Sequence, residues 1–178
     1  GSGGAENTLY KICKYDNQNE HIVITLKKGG KYLKLLNKRG DKVYSLDINF
    51  SIFHIIFKFF TLIRLLRDLK PDLVQTWLVH GDFIGGFAAK FAGIKNIVWN
   101  IRYSNFDPYK GKFITFWLIK LLAKLSFVIP QSIIVVSKKS KEDCINNGYD
   151  KQKLVLIQNG YDLSILKPIN YYKFYFNK

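Results

Sequence analysis

The sequence predicts an α/β fold, a Rossmann-like, doubly wound and mainly parallel sheet, and three observations carry that prediction. Six short runs rich in Val and Ile alternate with six helical patterns. The runs are mostly continuously apolar, as in strands buried on both faces, and do not alternate as half-exposed strands do. Most of the helical patterns end at a Gly or just before a Pro, where the left-handed cap or the missing amide stops a helix.

In chain order, residues 5–14 form the first helical pattern and residues 21–26 (HIVITL) the first strand. A helix over residues 31–39 is closed by Gly40 and leads into the strand 42–46 (KVYSL). Residues 50–69 make a long helix stopped before Pro71, followed by the strand 72–77 (DLVQTW). Residues 81–92 are a helix closed by Gly93, before the strand 96–101 (NIVWNI). The helix 112–127 stops before Pro130, and the strand 132–137 (SIIVVS) follows. A last helix, 138–147, closed by Gly148, precedes the strand 153–157 (KLVLI). Right-handed crossovers then place ligands beyond the carboxyl ends of the strands. Residues 171–178 (YYKFYFNK) fit no template for long and read as a strand-like stub or a frayed end.

With 178 residues the chain fits one domain, and a domain of that size can bury roughly 70% of its unfolded surface. Apolar residues make up 48% and aromatics 16%, which excludes disorder. Lys and Arg number 28 against 13 acids, a net charge of +15. Such a surplus draws phosphates, whether of nucleic acid, lipid headgroup or nucleotide, without choosing among them. Cys13 and Cys144 lie far apart with no CxxC or Cys/His cluster, so the pattern is of reduced, cytosolic thiols, with neither a zinc site nor a disulfide framework.

Met is absent even from position 1, and residues 1–6 lack the regions of a signal peptide, so the sequence reads as a fragment. Residues 48–66 have the length to span a bilayer, but His54, Lys58 and Arg64 interrupt them at considerable cost in lipid. They read as a soluble or interfacial helix. Polar positions His54, Lys58, Thr61, Arg64 and Asp68 recur every three or four residues along it, and Lys112, Lys120 and Lys124 do the same beside Phe113, Phe116 and Trp117. Two readings fit these helices: core-facing elements with a solvated row, or surfaces that also lie on an anionic membrane.

Several residues are placed for chemistry. Gly3 and Gly4 lead into a helical pattern, where glycines and free helix amides favour an anion. The motif is neither a Walker A loop nor GxGxxG, and GSGG is also what an expression tag leaves behind. His80 and Asp82 follow a strand, on the cleft side of this architecture. A surface or capping histidine and an acid complementing a helix dipole explain them equally well. Arg102, with Ser104 close behind, ends the strand 96–101, where a cation needs a partner acid or a phosphate. Ser137 reads as a helix N-cap. Asn159, Gly160 and Asp162 form a turn signal after the last strand. No nucleophile elbow, HExxH or paired-carboxylate spacing stands out.

Five motifs in order, GGAE opening a helix, PDLVQTWLVHGDFIGGFAAKFAG, VWNIRYS, IIVVSKKSKED and NGYDLSILKP, resemble the N-terminal half of a GT-B glycosyltransferase of family 4. The likeness is to members that build bacterial O-antigen and other surface polysaccharides. It covers residues 1–168, with 169–178 as a tail or the start of an interdomain linker. The resemblance implies retaining, metal-independent transfer from a nucleotide-sugar to an acceptor, commonly a lipid-linked saccharide at the inner membrane face. It implies no cofactor beyond that co-substrate, and no nucleic-acid partner. An anionic membrane surface is a further partner on this reading, and the location is cytoplasmic or peripheral on the plasma membrane.

Carried over by motif, Gly3 and Gly4 are the loop on the donor-phosphate side. His80, Asp82, Arg102 and Ser104 belong to the acceptor cleft, and Asn159, Gly160 and Asp162 to the hinge. Relatives commonly have histidine where this chain has Arg102. They also have a central strand before the Gly-rich loop and a donor-binding domain after Pro168, so catalytic residues are expected outside this chain, which is inactive alone. Without the central strand, its two neighbours lack ladder partners, and low stability is expected. The alternatives are a non-enzymatic basic module holding nucleic acid or anionic lipid, and a dinucleotide oxidoreductase. Scattered basic residues without an RNA- or DNA-binding signature count against the first, and the missing GxGxxG against the second.

Overall fold

The computed structural model describes residues 3–49, 51–102 and 113–160. All six helices and six strands read from the sequence are present. In order they are α1 (Gly4–Tyr15), β1 (Ile22–Thr25), α2 (Lys31–Arg39), β2 (Lys42–Ser45), α3 (Ile52–Leu69) and β3 (Val74–Trp77). Then follow α4 (Leu78–Phe91), β4 (Ile97–Ile101), α5 (Phe113–Leu125), β5 (Ser132–Val135), α6 (Lys138–Asn146), a short 3-10 turn and β6 (Leu154–Leu156). Among the described residues every strand pair is parallel. Phe50 and Lys112, expected to open their helices, lie outside the described residues, as do Ser104, Asp162 and the tail.

Local chemistry explains the boundaries. Gly40 closes α2 in the left-handed region at φ 91°, a conformation that glycine adopts without steric cost. Ser137 caps α6 as expected, its hydroxyl accepting from the Ser140 amide. The largest departure from the sequence reading is α4, which begins at Leu78 and not at Gly81. No loop separates it from β3. Trp77 ends the strand in extended geometry and Leu78 turns the corner at φ 66°, a left-handed conformation that strains a residue with a Cβ.

The strands fall into two sheets, β1–β2 and β3–β4–β5–β6. Leu46 and Ile48 continue the first ladder by donating to the carbonyls of Thr25 and Leu26. Among the described residues nothing bridges β1 and β3, and the break falls where the resemblance puts a further strand. The main core gathers Ile97, Trp99, Ile101, Ile133 and Val135 of the larger sheet against α3, α4, α5 and α6. Cys13, Val23 and Leu36 form a smaller core between α1, β1 and α2.

Helix α3 divides along its length. Leu62, Ile63 and Leu66 in its second half are buried, while Ile52, Phe53, Ile56, Phe57 and Phe60 in its first half face outward, Phe53 being 82% exposed. Helix α5 repeats the pattern, with Phe113, Ile114, Trp117 and Leu121 exposed beside buried Ile119, Leu122 and Ala123. Among the described residues no helix is long and apolar enough to cross a membrane.

Candidate functional site

Parallel strands joined by helices bring residues distant in sequence to one carboxyl edge. Register sets Thr76 opposite Trp99 and Trp77 opposite Asn100, with Ile101 opposite Val135 on the next strand. Arg102 leaves β4 at this edge and is held on three sides. Its guanidinium carbon lies 4.7 Å from the centre of the Trp77 ring, a stacking arrangement that favours a cation. Its Nε donates to Asn100 Oδ1 at 3.1 Å, and its Nη1 donates to Asn159 Oδ1. The edge residues of β3 and β4 and the segment after β6 thus meet on one guanidinium. Burial lowers the Arg102 pKa from its ordinary value.

Beneath this edge lies a buried polar group. Asp82 is wholly inaccessible, and the Thr76 hydroxyl donates to its Oδ1 at 2.6 Å. Its Oδ2 has no hydrogen-bond partner among the described residues. Burial pushes the carboxyl up to about 8, against the opposing pull of the Thr76 hydroxyl and the Asn100 backbone amide. The Thr76–Asp82 bond spans the strained corner at Leu78, joining the strand before it to the helix after it. Trp77, the ring under Arg102, lies between the two residues in the chain. Cys144 is also deeply placed, its thiol pushed up to about 12 by burial, with Asp143 and Asp82 adding to the effect.

The residues expected from the sequence therefore separate. Arg102 and Asn159 come together, with exposed Gly160 beside Asn159. Asp82 does not line an open cleft: α4 starts three residues earlier than expected, and the side chain at 82 turns beneath the helix and into the core. His80 is exposed in the first turn of α4. Gly3 caps α1, donating its amide to Glu6 Oε2 at 3.3 Å, so a phosphate taking that amide must displace Glu6. Around Gly4 no atom stands within 4 Å of where a Cβ would be.

Sequence reading missed Trp77 and Asn100. A polar Asn inside an otherwise apolar strand was the available signal, since a buried polar residue needs a partner. A groove of about 530 Å³, lined by Arg67, Lys70, Asp72 and Lys95 among others, opens at the amino ends of β3 and β4. It lies away from the Arg102 edge, and its open shape marks no built site. Among the described residues, no three His, Cys, Asp or Glu side chains gather as a metal site.

Comparison with known proteins agrees with this architecture. The chain is 28% identical over 173 residues to the Escherichia coli UDP-Gal:alpha-D-GlcNAc-diphosphoundecaprenol alpha-1,3-galactosyltransferase, covering 94% of this chain and 44% of that enzyme. A Ruminiclostridium cellulolyticum N-acetylglucosamine transferase acting on a pyrophosphoryl-undecaprenol substrate is 28% identical over 171 residues, covering 85% of this chain and 46% of the relative. Among solved structures, Anabaena HepE in complex with UDP-glucose superimposes with a TM-score of 0.76 at 18% identity, over 94% of this chain and 44% of that one. Acinetobacter baumannii MurG gives 0.62 at 18%, over 95% and 46%. The structural likenesses show the shared fold, and the chain spans less than half the length of these relatives. The Glycosyltransferase Family 4 model matches residues 2–165, and on that match the chain belongs to glycosyltransferase family 4.

Proposed function

We propose that this chain is the acceptor-side half of a glycosyltransferase that moves a sugar from a nucleotide-sugar to a lipid-linked glycan on an anionic membrane surface. The observation that carries the reading is the meeting of two features at one end of the fold. Helices in a parallel α/β layer run opposite to the strands, so the first two turns of α3 and α5 lie toward the carboxyl edge that carries Arg102. Those are the turns that hold Phe53, Phe57 and Trp117 outward. Apolar side chains beside a surplus of +15 fit a bilayer of anionic lipid, which takes the rings at its headgroup boundary and pairs with the lysines. A lipid-linked acceptor would then reach the edge from the surface in which its own chain is anchored. The two relatives above act on diphosphoundecaprenol-linked substrates. No relative among these favours the nucleic-acid module or the oxidoreductase.

Two experiments test the reading. Intact enzyme containing this chain, given labelled nucleotide-sugars and an undecaprenyl-diphosphate-linked saccharide, is expected to transfer sugar with retention of configuration and without loss in chelator. Absence of transfer from every nucleotide-sugar tried sinks the activity. In the second, the chain is expected to sediment with phosphatidylglycerol vesicles and to stay in solution with phosphatidylcholine. Replacing Phe53, Phe57 and Trp117 by Ser together removes enough apolar burial, at least about 1.5 kcal/mol, to weaken partitioning by roughly tenfold or more. Equal sedimentation with both lipids, or of wild type and triple variant, rules out the membrane face.

A further inference from the structure

We propose that Arg102 is the anchor of a diphosphate-binding site, its guanidinium pre-set by Trp77, Asn100 and Asn159 to take phosphate oxygens at the carboxyl edge. The proposal rests on the transferase reading, in which donor and acceptor both carry a diphosphate, and it names the group that this edge grips.

The support lies in what surrounds the cation. All three partners are neutral: a ring 4.7 Å away and two carboxamide oxygens. No described carboxylate forms an ion pair with it, whereas Arg39 has Asp41 at 2.7 Å and Lys42 has Glu20 at 2.6 Å. A part-buried cation without a counter-charge is costly unless an anion completes it. The carboxamides accept from Nε and Nη1, so among the described residues two of the five N–H donors of the guanidinium are engaged, and the others have the planar, forked arrangement that suits phosphate oxygens. Stacking on Trp77 and the two acceptors remove the rotamer freedom that an unsupported arginine would lose on binding. Asn159 lies 57 residues further along the chain than Arg102, so the anchor is assembled by the tertiary fold and is no local surface charge.

Calorimetric titration of the chain with inorganic pyrophosphate, at about physiological salt and with chelator present, tests the site. Pyrophosphate is expected to bind, and Arg102→Gln to weaken it at least tenfold. Arg102→Lys keeps the charge without the fork and should fall between. Asn159→Ala, at an exposed position with little risk to folding, should cost several-fold by freeing the guanidinium, while Lys95→Gln at the opposite end should change nothing. Titrating UDP and farnesyl diphosphate in parallel identifies the source: the ligand whose affinity falls with Arg102→Gln supplies the diphosphate. The proposal is overturned if wild type binds no pyrophosphate, or if folded Arg102→Gln and Asn159→Ala, checked by circular dichroism, bind it as wild type does. Either result can coexist with sugar transfer by the intact enzyme, so the failure of this anchor is distinguishable from failure of the transferase reading.

Discussion

Asp82→Asn is expected to flatten the pH dependence of stability between about pH 4 and pH 8. The carboxyl is raised from 3.8 to about 8 in the folded chain, because the loss of water outweighs the opposing pull of the Thr76 hydroxyl and the Asn100 backbone amide. Above pH 4 the unfolded chain releases this proton while the folded chain keeps it, so each rise in pH draws the equilibrium toward unfolding. For one such group the slope is about 1.4 kcal/mol per pH unit. The contribution is whole below pH 4, declines through the window and is lost above about pH 8. Asparagine has the shape of the neutral acid, accepts the Thr76 hydroxyl and releases no proton. Urea denaturation at pH 5, 6, 7 and 8 should therefore give a steeper fall for wild type than for the variant, and Asp82→Asn should be the more stable at pH 8. Parallel curves for the two proteins would show that Asp82 is ionised in the folded state.

Two glycines of α4 should respond in opposite directions to the same substitution. A Cβ on Gly86 would stand 2.7 Å from Trp99 Nε1 and 3.4 Å from Ile129 Cγ2. Trp99 is wholly buried at the centre of the sheet and cannot withdraw. Alanine gains about 1 kcal/mol of helix propensity over glycine, but forcing volume into a packed core costs about 1–3 kcal/mol, so Gly86→Ala should destabilise by up to about 2 kcal/mol. Gly81 has no atom within 4 Å of its Cβ direction, and Gly81→Ala should stabilise by up to about 1 kcal/mol. Since 1 kcal/mol moves the Tm of a domain this size by roughly 2–4 °C, thermal melts separate the two. A Gly86→Ala protein melting with Gly81→Ala would mean that α4 does not press on Trp99 as described.

Both effects depend on burial, and burial is where sequence reading was weakest. The pattern NIVWNI identified β4 but did not say that Asn100 would turn to Arg102, because the partner's position depends on where β3 and the segment after β6 arrive. The motif VHGDFIGG put His80 and Asp82 at a strand's end. It did not reveal that β3 passes into α4 with no loop, which turns Asp82 inward and leaves His80 outside. The rows of polar residues on α3 and α5 were legible as periodicity. Which stripe met the core was not, since amphipathicity assigns faces only when the neighbouring elements are known.

The sequence by itself determined the succession of strands and helices, their parallel arrangement and most of their ends, because periodicity, caps and breakers act over a few residues. Only the tertiary structure decided that Arg102 and Asn159 share a hydrogen bond, that Asp82 is sealed beneath α4, and that the aromatic first halves of α3 and α5 stay uncovered. Each of those outcomes depends on where distant segments pack, and packing energies between distant segments leave no local pattern in the chain.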